Sequence, residues 1–148
     1  MQVSKNFRLS EFKCRDAARG LNKPPYCNGS AGNIDTDLIK GLQDLRDKIG
    51  KPVIITSGYR CPAYNTYIKG ASSSQHMFGT AVDIRVDGMT SEDLMRVVEQ
   101  MDIFTGRGLY PGQGFIHVDT RRGLRGGRVS RWIQHRNGLY ETVGRFIL

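Results

Sequence analysis

Long apolar runs, closely paired cysteines and a surplus of acidic side chains are all absent from this sequence of 148 residues. No stretch approaches the about 18 consecutive apolar residues that a membrane-spanning helix needs, so we expect no membrane insertion. Residues 1–16 also lack the apolar core of a secretory signal. The sequence therefore predicts no export signal.

Cysteine is scarce, with Cys14, Cys27 and Cys61 and no CxxC pair. An odd number of widely spaced cysteines argues against a pure disulfide framework. One bridge, such as Cys14 with Cys27, and three reduced buried thiols both remain open. A three-thiolate zinc site is the least favoured reading, because the spacings match no common structural zinc pattern.

The sequence has 22 basic and 14 acidic side chains, which gives a net charge of +8. Such a surface favours an anionic partner, either nucleic acid, anionic membrane or bacterial cell-wall polymer. The basic segment 121–131 carries no recognised nucleic-acid motif and no aromatic stacking platform. We therefore expect a cell-wall polymer and no nucleic acid.

The length and the 39% hydrophobic content predict one domain over residues 1–148. Within it we expect an irregular N-terminal segment, 1–33, and a basic C-terminal extension, 121–148. Apolar periodicity predicts helices over 36–49 and from about 90 to 101. Short β-branched or alternating runs predict strands over 52–56, 79–86, 106–110 and 114–120. After Arg121, a final strand pair and an extended arm both remain open.

This mixture of short strands and two helices predicts an α+β fold with a small central antiparallel sheet and flanking helices. Side-chain alternation then places Asp83 on one face of its strand, and His117 with Asp119 on one face of theirs. The opposite face of each strand is aliphatic and suits the core. If the two strands are neighbours, Asp83 and His117 converge above the sheet.

A third ligand-type residue, His76, lies in a polar loop before the turn at Gly79. Two histidines and one aspartate leave the fourth position of a tetrahedral zinc open, as a hydrolytic zinc site requires. The alternative interpretation involves no metal: His76 is a surface residue, and Asp83 with His117 is a polar pair. We favour the metal site, because Asp83 and His117 are expected on the same face of the sheet and an arginine, Arg60, lies nearby in the sequence.

These residues resemble a known family. SGYR at 57–60, the pattern SxHxxGxAxD from Ser74 to Asp83, and a later strand histidine are similar to the zinc D-Ala-D-Ala carboxypeptidase family of peptidoglycan peptidases. HVDT at 117–120 also resembles a branch of the family seen in murein endopeptidases and phage endolysins, and the family shares its fold with the hedgehog signalling domain. The resemblance covers residues 6–132.

The resemblance implies Zn²⁺ as cofactor, with His76, Asp83 and His117 as its ligands. It also implies that Arg60 binds a substrate carbonyl or carboxylate and stabilises the developing oxyanion. Ser74 is implied to orient His76 or to touch substrate.

One position departs from the family pattern, because Gly114 stands where many members carry a general-base carboxylate. Asp119 is our candidate for that base, and a structural role in holding His117 is the alternative. His135 is a more distant candidate.

The function predicted on these grounds is zinc-dependent hydrolysis of an amide bond in peptidoglycan stem peptides or cross-links. The alternative is a non-catalytic zinc module that binds cell wall or a protein partner. We expect action on the cell wall, as a phage lysin released through a membrane partner or as a virion-associated enzyme. The bond cleaved and the oligomeric state stay open.

Overall fold

The computed structural model describes residues 1–122 and 128–148. In those ranges the chain forms three α-helices and eight β-strands, which are numbered in chain order. The helices are α1 (Thr36–Ile49), α2 (Pro62–Tyr67) and α3 (Ser91–Val98). The strands are β1 (Gln2–Ser4), β2 (Phe7–Arg8), β3 (Ile54–Ser57), β4 (Ala81–Arg85), β5 (Gly106–Tyr110), β6 (Phe115–Asp119), β7 (Ser130–Gln134) and β8 (Tyr140–Val143).

The main sheet has six strands in the order β3-β4-β6-β5-β7-β8, and β1 with β2 forms a separate pair. The predicted α+β class is confirmed. The sheet is mixed rather than wholly antiparallel, because β5 and β7 run parallel. Strand β7 lies on the far side of β5 instead of beside β6. Strand β7 is therefore antiparallel to β6, which precedes it in the chain, and parallel to β5, which it contacts in the sheet.

The core lies between the helices and the aliphatic face of the sheet. The apolar periodicity over 36–49 predicts a buried stripe of Leu38, Leu42, Leu45 and Ile49. The three leucines are fully buried and Ile49 is half-buried against the same core. They join one cluster with Ile84 of β4 and Ile116 of β6. Burial of each such side chain contributes about 1.5–3 kcal/mol, so packing holds α1 in place more than intrinsic propensity does.

The helix ends differ in detail from the sequence expectation. The sequence places Asp35, a residue type that often caps helices, just before α1, but its carboxylate accepts a hydrogen bond from Thr120 Oγ1 (2.5 Å) and caps no helix N–H. Helix α3 ends at Val98, three residues before the expected Met101. The hydroxyl of Thr90 caps α3 by accepting from the backbone N–H of Asp93 (3.0 Å).

Both terminal segments contain more regular structure than their composition suggests. Segment 1–33 holds β1, β2 and two 3-10 turns, Leu9–Phe12 and Ala17–Arg19. At the other end, β7 and β8 form the strand pair that the sequence left open. Part of the predicted basic extension, residues 123–127, lies outside the described residues. No helix in the described ranges combines the length and apolar character that crossing a bilayer demands.

Candidate metal centre and active site

Neighbouring strands bring Asp83 and His117 together. Strands β4 and β6 are antiparallel, and Asp83 stands directly opposite His117 in the register. Because directly opposed residues share a face, both side chains rise on the side away from the aliphatic core. His117 Nδ1 lies 3.1 Å from Asp83 Oδ1. The convergence expected from strand parity is confirmed.

His76 reaches the same point from the 3-10 turn Gln75–Phe78. The hydroxyl of Ser74 accepts from the backbone N–H of His76 (3.3 Å) and caps this turn. On the ring, Nδ1 lies 2.8 Å from the carbonyl oxygen of Gly58. A carbonyl only accepts, so Nδ1 carries the proton and Nε2 presents its lone pair. That Nε2 lies 3.3 Å from Asp83 Oδ1.

The donor set fits a divalent metal. His76, Asp83 and His117 are all buried, and each offers a ligand atom within 4.8 Å of the others. Zinc bonds of 2.0–2.2 Å in tetrahedral geometry imply ligand separations of about 3.3 Å, close to the observed nitrogen–oxygen distances. Two imidazoles and one carboxylate are the three-ligand set of a catalytic zinc.

Asp119 lies behind His117. His117 Nε2 donates to Asp119 Oδ2 (2.7 Å), while Nδ1 faces Asp83. Arg121 donates to both oxygens of the same carboxylate, at 2.8 Å and 2.6 Å. Asp119 is fully buried. A carboxylate on the second nitrogen of a ligating histidine fixes its tautomer and orientation, and this is the arrangement seen here.

The buried charges have strongly perturbed pKa values. Burial lowers the pKa of His76. Burial acts to raise the pKa of Asp83, but the adjoining His76 and His117 rings outweigh it and hold that pKa well below its usual range. For Asp119, burial is likewise outweighed by Arg121 and His117, so its pKa is also well below the ordinary value. Both carboxyl groups are therefore ionised at neutral pH.

Arg60 lies beside the three predicted ligands. Its guanidinium donates to Asp83 Oδ2 (3.4 Å), Ser57 Oγ (3.3 Å) and Asn65 Oδ1 (3.5 Å). Asn65 is buried and donates to the carbonyl of Ala71 (2.9 Å), so it braces the loop that follows α2. These contacts fix the guanidinium at the edge of the predicted metal site.

A cavity of about 760 Å³ opens above these residues. The predicted site residues Arg60, Ser74, His76, Asp83 and His117 line it. Four aromatic side chains, which sequence reasoning missed, also line the cavity and form an aromatic wall. This wall consists of Tyr110, Phe115, Trp132 and Tyr140.

The aromatic wall is internally connected. Trp132 Nε1 donates to the Tyr110 hydroxyl (3.0 Å), and the Tyr110 ring stacks on Phe115 with centroids 4.5 Å apart. The Trp132 ring lies 4.9 Å from the ring of His117 and 5.2 Å from the Arg121 guanidinium carbon. The wall therefore reaches the predicted metal ligands directly.

A family model described as peptidase M15 matches residues 5–119, well over half of the chain. The chain belongs to the peptidase M15 family. Peptidoglycan L,D-endopeptidase MepK of Escherichia coli (strain K12) is 32% identical over 95 residues, which cover 60% of this chain and 52% of that protein. The protein of the same name from Shigella flexneri gives the same values. The chain spans about half the length of the curated relatives it matches.

Two glycines of β5 make room for the arrangement in this M15 chain. A Cβ at Gly106 would lie 2.1 Å from Asp119 Oδ1, and one at Gly108 would lie 2.6 Å from the Trp132 ring. Both distances are far below van der Waals contact. The alternation GRG at 106–108 is the sequence signal that side chains from neighbouring strands fold over β5.

The described residues that line the cavity include no carboxylate besides Asp83. Gly114, at the position where the family resemblance led us to expect a base, has a positive φ of 73° and ends the turn before β6. His135 is exposed, and its Nε2 lies 3.1 Å from Glu141 Oε1 beyond the end of β7. Of the two roles expected for Asp119, the geometry favours the one that holds His117.

Proposed function

We propose that this chain is a zinc-dependent peptidase that hydrolyses an amide bond in the peptide stems or cross-links of peptidoglycan. One observation carries the proposal. Two imidazole nitrogens and one carboxylate oxygen converge within 4.8 Å at a cavity, and the second nitrogen of each ring is already fixed by a hydrogen bond. Membership of the M15 family supports it independently.

His76 Nε2, Asp83 and His117 Nδ1 would hold the zinc ion. When bound, zinc polarises the scissile carbonyl and makes water nucleophilic at neutral pH. Asp119 holds His117 in the tautomer that turns Nδ1 toward the ion, and Arg121 holds Asp119 in turn. Asp119 is therefore a positioning residue in this mechanism.

Arg60 is the residue that stabilises negative charge on the substrate. Its guanidinium is held by Ser57 and Asn65 beside Asp83, so it is oriented before substrate arrives. A donor fixed where a carbonyl oxygen gains charge stabilises the transition state more than the ground state. The same group can bind a terminal carboxylate.

The cavity suits an anionic peptide. Arg60, Lys69 and Arg121 line it together with the aromatic wall. Peptidoglycan stem peptides combine carboxylates with alkyl side chains, and the basic and the aromatic lining of the cavity match these two features. The net charge of +8 adds long-range attraction to the anionic wall.

Within this class we propose that cross-links of the L,D type are the first substrate to examine, since the curated relatives are named L,D-endopeptidases. A cell-wall substrate places the reaction outside the cytoplasmic membrane. A phage lysin and a virion-associated enzyme both meet that requirement.

The test is digestion of purified sacculi, with mass spectrometry to identify the new termini. We expect stem-peptide fragments in the presence of zinc, loss of activity on chelation and recovery when zinc is restored. His76→Ala and Asp83→Asn should abolish release, whereas His135→Ala, a change to an exposed histidine, should not. Fragments released by a chain lacking both His76 and Asp83 would falsify the proposal. Binding of the zinc-loaded chain to sacculi without new termini would instead establish a non-catalytic module.

A further inference from the structure

A second cluster of metal-ligand side chains lies apart from the cavity and has no part in the proposed hydrolysis. It consists of Cys14, Asp16, Cys27 and Cys61. Cys14 and Asp16 follow the first 3-10 turn, Cys27 belongs to the loop before α1, and Cys61 directly precedes α2. Cys14, Asp16 and Cys61 are buried, and Cys27 is half-buried.

The spacing of the four ligand atoms matches a tetrahedral zinc site. All four lie within 4.8 Å of one another. Cys14 Sγ is 3.9 Å from Cys61 Sγ, and Asp16 Oδ2 is 3.2 Å from Cys27 Sγ and 3.6 Å from Cys61 Sγ. Zinc–sulfur bonds of about 2.3 Å and zinc–oxygen bonds of about 2.0–2.2 Å imply edges of about 3.8 Å and about 3.6 Å, so the two distances to Cys61 match. The shorter Asp16–Cys27 distance is that of a hydrogen bond from the Cys27 thiol to the carboxylate.

Burial raises the pKa of the Cys14 thiol, and burial together with the Asp16 carboxylate raises the pKa of the Cys27 thiol. A coordinated cation reverses this preference, because a thiol bound to a divalent metal is deprotonated outright. The thiolate is the form that binds metals.

Asp16 is a fully buried carboxylate whose position is set by the backbone. Its Oδ1 accepts from the N–H groups of Ala17 and Gly29 (both 2.7 Å), and its Oδ2 accepts from Cys27 (2.8 Å) and Asn28 (3.1 Å). These bonds turn Oδ2 toward the sulfurs. Buried carboxylates in proteins are usually paired with a cation or coordinate a metal.

A disulfide explains the cluster less well. The Cys14–Cys61 separation of 3.9 Å is well beyond the S–S bond length of about 2.05 Å, and the three cysteines are free thiols. Any one bridge would leave a third sulfur beside the buried carboxylate. The Cys14–Cys27 bridge weighed from the sequence does not form.

We propose that Cys14, Cys27, Cys61 and Asp16 form a closed structural site for a thiophilic divalent cation such as zinc. Four protein ligands leave no open position, in contrast to the three at the predicted catalytic site. On binding, three S–H bonds break, three metal–sulfur bonds form, and three protons pass to solvent. Since Cys61 follows Arg60, the cation ties the N-terminal loop to the segment that carries the substrate-binding arginine.

Metal content is the first test. We expect about two equivalents of zinc per chain in protein purified under reducing conditions, measured by plasma mass spectrometry. The His76→Ala/Asp83→Ala chain should keep about one equivalent, and Cys14→Ser/Cys61→Ser should lose the other. One equivalent in the wild type and none in the His76→Ala/Asp83→Ala chain would overturn the proposal.

Cobalt spectroscopy separates this site from the catalytic one without touching a cysteine. The His76→Ala/Asp83→Ala chain loaded with Co²⁺ should show intense thiolate-to-cobalt charge-transfer absorption, which a site of histidine and carboxylate cannot give. Cysteines of the zinc-loaded wild type should also resist a thiol reagent until a chelator exposes three of them. Absence of the absorption, or an intact mass lower by two hydrogens from a disulfide, contradicts the proposal. A failure of peptidoglycan hydrolysis leaves these readouts unchanged.

Discussion

Replacing Asp119 by Asn tests how this carboxylate acts. Both of its oxygens accept hydrogen bonds, Oδ2 from His117 and Arg121 and Oδ1 from Arg121. Asparagine has one accepting oxygen. If that oxygen serves His117, the amide N–H₂ group points at the Arg121 guanidinium. The variant therefore loses either the partner of His117 or the partner of Arg121.

The expected magnitude follows from the contact of Asp119 with a metal ligand. Loss of such a partner typically weakens metal binding by 10–100-fold, which corresponds to about 1.4–2.8 kcal/mol. We expect the zinc dissociation constant of Asp119→Asn to rise by that factor in competition with a chromophoric chelator. Because the residue acts through His117, excess zinc should restore most of the turnover on sacculi fragments.

Asp35→Asn is the matched control. Asp35 is the nearby carboxylate that bonds to Thr120 and has no contact with His117, so its replacement should leave zinc affinity unchanged. The reasoning is refuted if Asp119→Asn binds zinc as tightly as the wild type but turns over about 10²–10⁴-fold more slowly at saturating zinc. That result would identify Asp119 as the general base.

Three further substitutions test the support of the site, the oxyanion residue and the core. Gly106→Ala places a Cβ about 2.1 Å from a buried carboxylate oxygen, so the free energy of unfolding should fall by about 1–3 kcal/mol and zinc affinity should fall with it. Gly144→Ala, in open space, should stay within about 0.5 kcal/mol of the wild type. Arg60→Lys removes the planar donor and should lower kcat/KM by about 10²–10³-fold with zinc content unchanged, whereas Arg85→Lys, on the exposed end of β4, should not. Leu42→Ala should cost about 2–5 kcal/mol in denaturant unfolding; a cost below 1 kcal/mol would contradict the central place of α1 in the core.

Local patterns predicted most of the elements and the central pairing of the site. The bounds of α1 follow from its apolar stripe and from Gly50, and the positions of Asp83 and His117 follow from alternation within two strands. These features depend only on residues close together in the sequence. Position along a strand was therefore enough to anticipate which side chains face each other.

Features set by distant pairing were not predictable in the same way. Nothing near β7 in the sequence indicates that it lies parallel to β5, and so the place of Trp132 beside His117 was missed. The sequence spacings of the three cysteines match no common zinc motif and so do not predict a metal site. The folded N-terminal loop nevertheless brings the sulfur atoms of Cys14 and Cys61 to 3.9 Å from each other. Long-range register, which local periodicity does not encode, decides both cases.

The M15 match ends at residue 119, whereas Trp132 and Tyr140 come from the hairpin that follows. The groups proposed for chemistry and part of the aromatic wall thus belong to different stretches of chain. Under the proposed function, we expect changes in the β7–β8 hairpin to alter which peptide is accepted while the proposed ligands on β4 and β6 keep their positions. Selectivity and reactivity would then be open to separate adjustment.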